Sequence, residues 1–188
     1  MKLLAMDLSL TNAGVCRLRD VRAGQPVWDI ETVRVPLTRI AGARPGTTKA
    51  GAGLKGVERL VWWYLWLVEE IADGAELIVL EAPILHGTGM HSDIGELMGA
   101  IKLTAHQRDI PVKMVAVSQI KKWATGSGAA DKQRMIDTAT EAMGGELTLD
   151  EHQADAYWLA HLSWATWGEG EPDTPSRTLL AKTLRGTK

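Results

Sequence analysis

Four residues of types that hold metal ions or move protons stand beside apolar segments of this chain. Asp7 interrupts the apolar run KLLAMDLSL, and Glu81 directly follows the run LIVL. His152 and Asp155 lie three residues apart in EHQADAYWLA and therefore share one face of a predicted helix. A carboxylate in buried apolar sequence is costly unless it is paired or bound to metal. Acids at strand ends and helix starts are also commonly solvated, so each residue alone permits both interpretations.

Together, the three carboxylates and the imidazole would form one site if the strands that carry Asp7 and Glu81 are neighbours. Oxygen-rich sites with some nitrogen suit Mg²⁺ or Mn²⁺. Two such ions about 4 Å apart promote in-line phosphoryl transfer, one by preparing the attacking water and one by stabilising the leaving oxygen. His152 would be either a metal ligand or the general base that takes a proton from water. If His152 is not a ligand, Asp150 or Glu151 is the alternative.

The elements that position these residues follow from hydrophobic periodicity and turn chemistry. Strands are predicted at 2–8, 13–18, 28–35, 76–80 and 112–117, and helices at 57–72, 92–108, 118–123, 131–143 and 150–167. This order predicts an α/β fold with a mixed five-stranded sheet, three antiparallel strands followed by parallel ones, flanked by helices. Residues 1–168 are predicted to form one domain. Residues 169–188, rich in Gly, Pro, Thr and charge, are predicted to form a loose tail.

Bulk properties exclude several classes of protein. The 188 residues carry a formal net charge of −2, so there is no global basic signature of nucleic-acid binding. The single cysteine, Cys16, forms no internal disulfide and is consistent with a reducing cytosol. Residues 1–10 are interrupted by Asp7 and predict no signal peptide, and the longest apolar run, 60–68, is too short to span a membrane. We therefore expect a cytoplasmic protein without membrane association.

Four segments carry a resemblance to a known family: LLAMDLSLTNAGV, LIVLEAP, QIKKWATGSGAADKQRM and HQADAYWLA. In order and spacing they resemble the RuvC family of Holliday-junction resolvases, within the RNase H-like superfamily, over most of residues 1–165. The Pro-Gly that cellular members carry after the first Asp is absent, which is typical of phage or mobile-element relatives. The family's catalytic and metal-binding positions fall on Asp7, Glu81, His152 and Asp155. Its two active-site lysines, which contact the scissile phosphate, fall on Lys121 and Lys132.

The resemblance implies an RNase H-like fold and a homodimer that binds a four-way DNA junction. Each subunit would nick one strand with Mg²⁺ or Mn²⁺, two ions per active site, leaving 5′-phosphate and 3′-hydroxyl ends. The family's dimerisation helix corresponds to residues 92–108, with an apolar stripe at Ile94, Leu97, Met98, Ile101 and Ala105. Packing of that stripe on the chain's own sheet is the alternative. The family's junction-facing loop contains no aromatic ring here other than His86 or His91, and no partner helicase is assigned.

Basic residues are segregated along the chain. Residues 102–134 contain seven Lys or Arg and two Asp, which leaves 14 basic and 21 acidic residues elsewhere. The Gly- and Ala-rich segment 39–56 is basic without any acid. Such segregation suits phosphate contacts, which give affinity for the backbone and shape of DNA and not for base sequence. The predicted DNA-binding residues are Arg39, Arg44, Lys49, Lys55, Lys121, Lys122, Lys132 and Arg134.

Three other functions are alternatives to the resolvase. A related RNase H-like nuclease acting on RNA–DNA hybrids or on branched DNA in general would use the same site with different binding loops. A non-catalytic junction-binding module would have lost the site, but all four residues are present. An ATP-binding module of the actin-like group would need two domains and phosphate loops, and GSGAADK lacks the Gly-Lys-Ser or Gly-Lys-Thr of a P-loop.

Overall fold

The computed structural model describes residues 1–35, 56–83, 90–145 and 148–186. Their elements, in chain order, are β1 (Leu3–Asp7), β2 (Asn12–Arg22), β3 (Gln25–Arg34), α1 (Gly56–Ala72), β4 (Leu77–Ala82), α2 (Met90–His106), β5 (Val112–Ala116), α3 (Val117–Thr125), α4 (Lys132–Ala142), α5 (Glu151–Trp167) and α6 (Pro175–Gly186). Each predicted strand and helix is present. The β2–β3 hairpin is longer than predicted because its charged outer end continues to pair as far as Arg22 and Gln25.

The five strands form one sheet in the order β3-β2-β1-β4-β5. β1, β2 and β3 are antiparallel, whereas β4 pairs in parallel with both β1 and β5. The predicted mixed five-stranded sheet is therefore confirmed. The strands that carry Asp7 and Glu81 are adjacent, as a common site requires.

Helices cover both faces of the sheet. α5 is apolar on nearly all sides and lies on one face, packed against α3, α4 and α6. α1 and α2 cover the other face, around the buried Trp63 and Leu67. Because side chains alternate along a strand, Asp7 and Glu81 project toward the face covered by α5, as do the buried Ala5 and Val79 two residues before them.

The apolar stripe of α2 packs on the chain's own sheet. Leu97, Met98, Ile101 and Ala105 are buried in the core beneath α1 and α2. Of the two interpretations of this stripe, packing on the chain's own sheet therefore holds for these four residues, because the single chain already covers them. Leu103 of the same helix is 58% exposed.

Residues 175–186 form helix α6, so the prediction of a loose tail over 169–188 is wrong for this part. Leu180, Ala181 and Leu184 are buried against the core that surrounds α5. Arg177 donates to the carbonyl oxygen of Trp123 at 2.8 Å, and Arg185 donates to carbonyl oxygens at the end of α5. The polar composition concealed an amphipathic helix with a short apolar face.

Cys16 on β2 is completely buried, and burial raises the pKa of its thiol. No helix among the described residues combines the length and the apolar character needed to cross a bilayer.

Candidate active site

Two carboxylates lie at the carboxyl ends of adjacent parallel strands. Asp7 is the last residue of β1, and Glu81 follows Leu80 of β4, which pairs with Met6. Both side chains are partly buried. Adjacent parallel strands ending at one edge of the sheet thus bring together two acids that are 74 residues apart in sequence.

The amino-terminal turn of α5 supplies the other two residues. Asp150 is the N-cap: its side chain accepts from the backbone N–H of Gln153 at 2.9 Å, and the Gln153 side chain accepts from the backbone N–H of Asp150 at 2.9 Å. This capping box fixes where the helix begins. His152 and Asp155 follow within the first turns and face the sheet edge that carries Asp7.

His152 contacts Asp7 directly. Its Nδ1 lies 3.0 Å from Oδ2 of Asp7. This hydrogen bond raises the pKa of His152, and burial of the ring opposes it. The negative charges of Asp7, Glu151 and Asp150 raise the pKa further. The other ring nitrogen, Nε2, lies 3.9 Å from Oε1 of Glu151, which is too far for a hydrogen bond, so Nε2 can still exchange a proton.

The remaining two carboxyls have perturbed acidities. Burial, followed by the charges of Asp7 and Asp155, raises the pKa of Glu81 to about 8. Burial and the charge of Asp7 raise the pKa of Asp155 to about 6. In both cases the positive charge of Lys121 acts in the opposite direction. Two neighbouring carboxyls with raised pKa values indicate a site of concentrated negative charge, which is typical of functional sites.

The donor set suits a hard divalent cation. Carboxylate oxygens and one imidazole are ligands that Mg²⁺ and Mn²⁺ accept, and a cation would relieve the repulsion that raises the pKa of Glu81. Within the described ranges, no three His, Cys, Asp or Glu side chains already lie in a metal-binding arrangement. The His152 ring is turned toward Asp7. The residues therefore fit the ion in the chemistry of their donor atoms, and their side chains would have to rotate to chelate it.

The two predicted active-site lysines have different surroundings. Lys121, on α3, donates to the carbonyl oxygen of Ala130 at 2.7 Å and is close enough to act electrostatically on Glu81 and Asp155. Lys132 begins α4, is exposed, and forms an ion pair with Glu151 at 2.5 Å. That contact raises the pKa of Lys132 and lowers the pKa of Glu151.

The other predicted DNA contacts are less concentrated. Lys122 and Arg134 are exposed on α3 and α4. The Nζ atom of Lys113 lies 5.9 Å from the ring centroid of Trp167, at the opposite end of α5 from His152. The predicted contacts Arg39, Arg44, Lys49 and Lys55 lie outside the described residues, as does His86.

The two alternative acids beside His152 have other partners. Asp150 caps α5 and accepts from the Thr32 hydroxyl at 2.5 Å, and Glu151 pairs with Lys132. Thr32 and Gly14, which approach this turn from β3 and β2, were missed by sequence reasoning. Gly14 carried a signal, because glycine within a strand marks close approach by another backbone. Thr32 carried none.

Comparison with known proteins shows similarity in sequence over part of the chain and in fold over most of it. No family model matches the chain. A segment of 64 residues, 34% of this chain, is 39% identical to crossover junction endodeoxyribonuclease RuvC of Corynebacterium glutamicum. The match covers 29% of that protein's length.

Solved structures extend the likeness to the fold. A RuvC structure from Thermus thermophilus superposes with a TM-score of 0.64 at 20% identity, covering 89% of this chain and 97% of that one. The structure of T. thermophilus RuvC in complex with Holliday junction substrate gives the same TM-score at 19% identity, covering 85% and 90%. The resemblance to the RuvC family, predicted from four sequence motifs, is confirmed in the fold of most of the chain and in the sequence of part of it.

Proposed function

We propose that this protein is a metal-dependent, structure-selective endonuclease that resolves Holliday junctions or other branched DNA. The observation that carries the proposal is the convergence of Asp7, Glu81, His152 and Asp155 at one edge of a RuvC-like sheet, with Lys121 beside them. The enzyme would nick two strands of the junction at symmetric positions by phosphodiester hydrolysis, leaving 5′-phosphate and 3′-hydroxyl ends. We place this activity in the cytoplasm of a bacterial cell, encoded by a phage or mobile element.

Asp7, Glu81 and Asp155 are the proposed ligands of two Mg²⁺ or Mn²⁺ ions. When bound, the ions supply positive charge that stabilises the developing charge of in-line attack by water on the phosphodiester. Raised pKa values mean that cation binding must displace protons from Glu81 and Asp155. Occupancy should therefore improve as pH rises through about 6 to 8.

We assign His152 the role of general base. Asp7 accepts from Nδ1, which leaves Nε2 to take a proton from water, and the same hydrogen bond stabilises the imidazolium that results. Two substitutions distinguish this role of His152 from its alternative role as a metal ligand. His152→Asp would preserve a ligand but weaken a base, so it should lose activity as fully as His152→Gln. Activity retained by His152→Asp and lost by His152→Gln would favour the ligand.

Lys121 and Lys132 are the proposed contacts to the scissile phosphate. The carbonyl oxygen of Ala130 holds the Lys121 ammonium near the acids. Lys132 must exchange its ion pair with Glu151 for a phosphate oxygen, an exchange that is cheap because both groups are exposed.

The function is tested with labelled four-way junction, duplex, fork and RNA–DNA hybrid, in Mg²⁺, in Mn²⁺ and with chelator. Asp7→Asn removes a proposed ligand, and Asp137→Asn, an exposed acid of α4, is the matched control. Paired symmetric nicks in the junction alone, absent with chelator and in Asp7→Asn, would support the proposal. Equal cleavage of forks or hybrids would make the protein a general RNase H-like nuclease. Tight junction binding without cleavage would make it a binding module.

Symmetric nicking requires two active sites, and we propose that the protein acts as a homodimer. With the α2 stripe buried, we place the interface at an apolar groove of about 300 Å³ between α1 and α2, the α1–α2 groove, lined in part by Val61, Tyr64 and Leu103. A two-fold axis would pair this surface with itself. Leu103→Glu should give monomers in sedimentation, whereas Leu179→Glu, at a position on α6 that is 67% exposed, should not. Dimers that persist in Leu103→Glu would exclude the groove.

A further inference from the structure

Three residues on neighbouring strands form a row across the sheet beneath the first turn of α5. Asp7 of β1 pairs with Gly14 of β2, and Gly14 pairs with Thr32 of β3. Residues directly opposite each other in antiparallel strands project from the same face of the sheet. The Asp7–Gly14–Thr32 row therefore faces α5 as a unit.

Each member of the row meets a particular part of that turn. The Thr32 hydroxyl donates to the N-cap carboxylate of Asp150 at 2.5 Å. The backbone of His152 lies over Gly14 so closely that an added Cβ would stand 1.8 Å from the His152 carbonyl oxygen. Asp7 holds the His152 ring at 3.0 Å.

We propose that Gly14 and Thr32 are positioning residues for the nuclease reaction, resting on the function proposed above. Gly14 sets how closely the first turn of α5 approaches the sheet, and Thr32 sets its rotation by holding the cap. Between them they place His152 and Asp155 opposite Asp7 and Glu81. Neither residue touches the reacting atoms or carries chemistry of its own.

The geometry gives the size of the effect. The backbone of His152 is not the end of a flexible side chain, so a methyl group at Gly14 must displace the whole turn or the strand. Restoring an ordinary contact of about 3.4 Å from 1.8 Å needs a displacement of more than 1 Å, and a misplacement of about 1 Å costs about 100-fold in rate. Thr32→Val removes one hydrogen bond in a side chain of the same shape, so its effect should be smaller, about tenfold in rate.

The experiment compares Gly14→Ala, Thr32→Val, Thr32→Ser and a control, Gly186→Ala, where an added Cβ meets nothing within 4 Å. Junction cleavage is resolved into kcat and KM. Mn²⁺ binding is measured by calorimetry without DNA. The ring-nitrogen NMR signals of His152, recorded at one pH without metal or DNA, report its hydrogen bond to Asp7.

We expect Gly14→Ala to lower kcat about 100-fold with little change in KM, to weaken Mn²⁺ binding at least tenfold and to shift the His152 ring signals. Thr32→Val should change kcat, Mn²⁺ affinity and the His152 signals in the same direction but by less. Thr32→Ser keeps the hydroxyl and should behave like the wild type, as should Gly186→Ala. If Gly14→Ala does not fold, the two Thr32 variants decide the question.

Folded variants with unchanged His152 signals would overturn the inference, even if their melting temperatures fall, because the residues would then be merely structural. If the wild type cleaves no DNA and binds no Mn²⁺, the proposed function fails, and the His152 signals still test the positioning.

Discussion

Replacing Glu81 with Gln should stabilise the metal-free protein while abolishing cleavage. Burial and the charges of Asp7 and Asp155 disfavour the ionised form of Glu81, raising its pKa from 4.5 to about 8. As pH rises, the unfolded chain releases this proton first, so the free energy of unfolding falls between about pH 4.5 and pH 8. A neutral amide of the same shape carries no such penalty.

The expected gain in the free energy of unfolding follows from the raised pKa of Glu81. A carboxyl whose pKa is 4.5 in the unfolded chain and about 8 in the folded one costs about 5 kcal/mol once both forms are ionised. Asp155, with its own pKa raised to about 6, shares the repulsion, so protons redistribute between the two groups. We therefore expect Glu81→Gln to gain about 2–4 kcal/mol at pH 8 and less than about 1 kcal/mol at pH 5.

Urea unfolding with chelator present, followed by the fluorescence of the eight tryptophans, measures both values. Glu141→Gln, an exposed glutamate of α4, is the matched control and should change stability by less than about 0.5 kcal/mol. Titrations of groups that do not interact with Glu81 cancel because each variant is compared with wild type at the same pH, and the coupled titration of Asp155 is the reason for the reduced range given above. Mn²⁺ should stabilise the wild type and not Glu81→Gln. A variant that gains nothing at pH 8, or gains equally at pH 5, would refute the account of concentrated negative charge.

Three further predictions concern other parts of the molecule. Burial lowers the pKa of His161 to about 4. On acidification His161 is therefore protonated in the unfolded chain before it is protonated in the folded one, and up to about 3 kcal/mol of the free energy of unfolding is lost between pH 6.5 and pH 4. Urea unfolding should show that this loss is greatly reduced in His161→Gln. Glu151→Gln frees Lys132 and should tighten junction binding about threefold at low salt, measured by fluorescence anisotropy; unchanged affinity would mean that Lys132 does not contact phosphate. Leu184→Ala on α6 should cost about 2–4 kcal/mol in urea unfolding, whereas exposed Leu179→Ala should cost less than about 0.5 kcal/mol; equal costs would show that α6 does not pack as described.

The sequence was informative wherever local pattern decides structure. Alternating and helical periodicities located every strand of the sheet, and the turn chemistry placed Asp7 and Glu81 at strand ends. That these two strands are neighbours depends on the crossover between them, which the motif resemblance supplied and periodicity alone does not. The fold prediction therefore combined local physics with a recognised order of segments.

Contacts between distant segments were outside the reach of such reasoning. Glu151 and Lys132 are 19 residues apart, and Thr32 and Asp150 are 118 apart. Neither pairing changes the local hydrophobic pattern, so neither leaves a signal in one sequence. α6 was missed because Leu180, Ala181 and Leu184 form too short an apolar face to stand out among charged residues.

The buried thiol of Cys16 makes this chain convenient for site-directed labelling. It is the only cysteine in the sequence, it is completely buried, and its raised pKa keeps it in the unreactive thiol form. A cysteine introduced at an exposed position such as Asp137→Cys would therefore react alone with a maleimide dye or spin label in the folded protein. Distances between two such labels in a dimer, or between a label and a junction arm, become measurable without first removing a native residue.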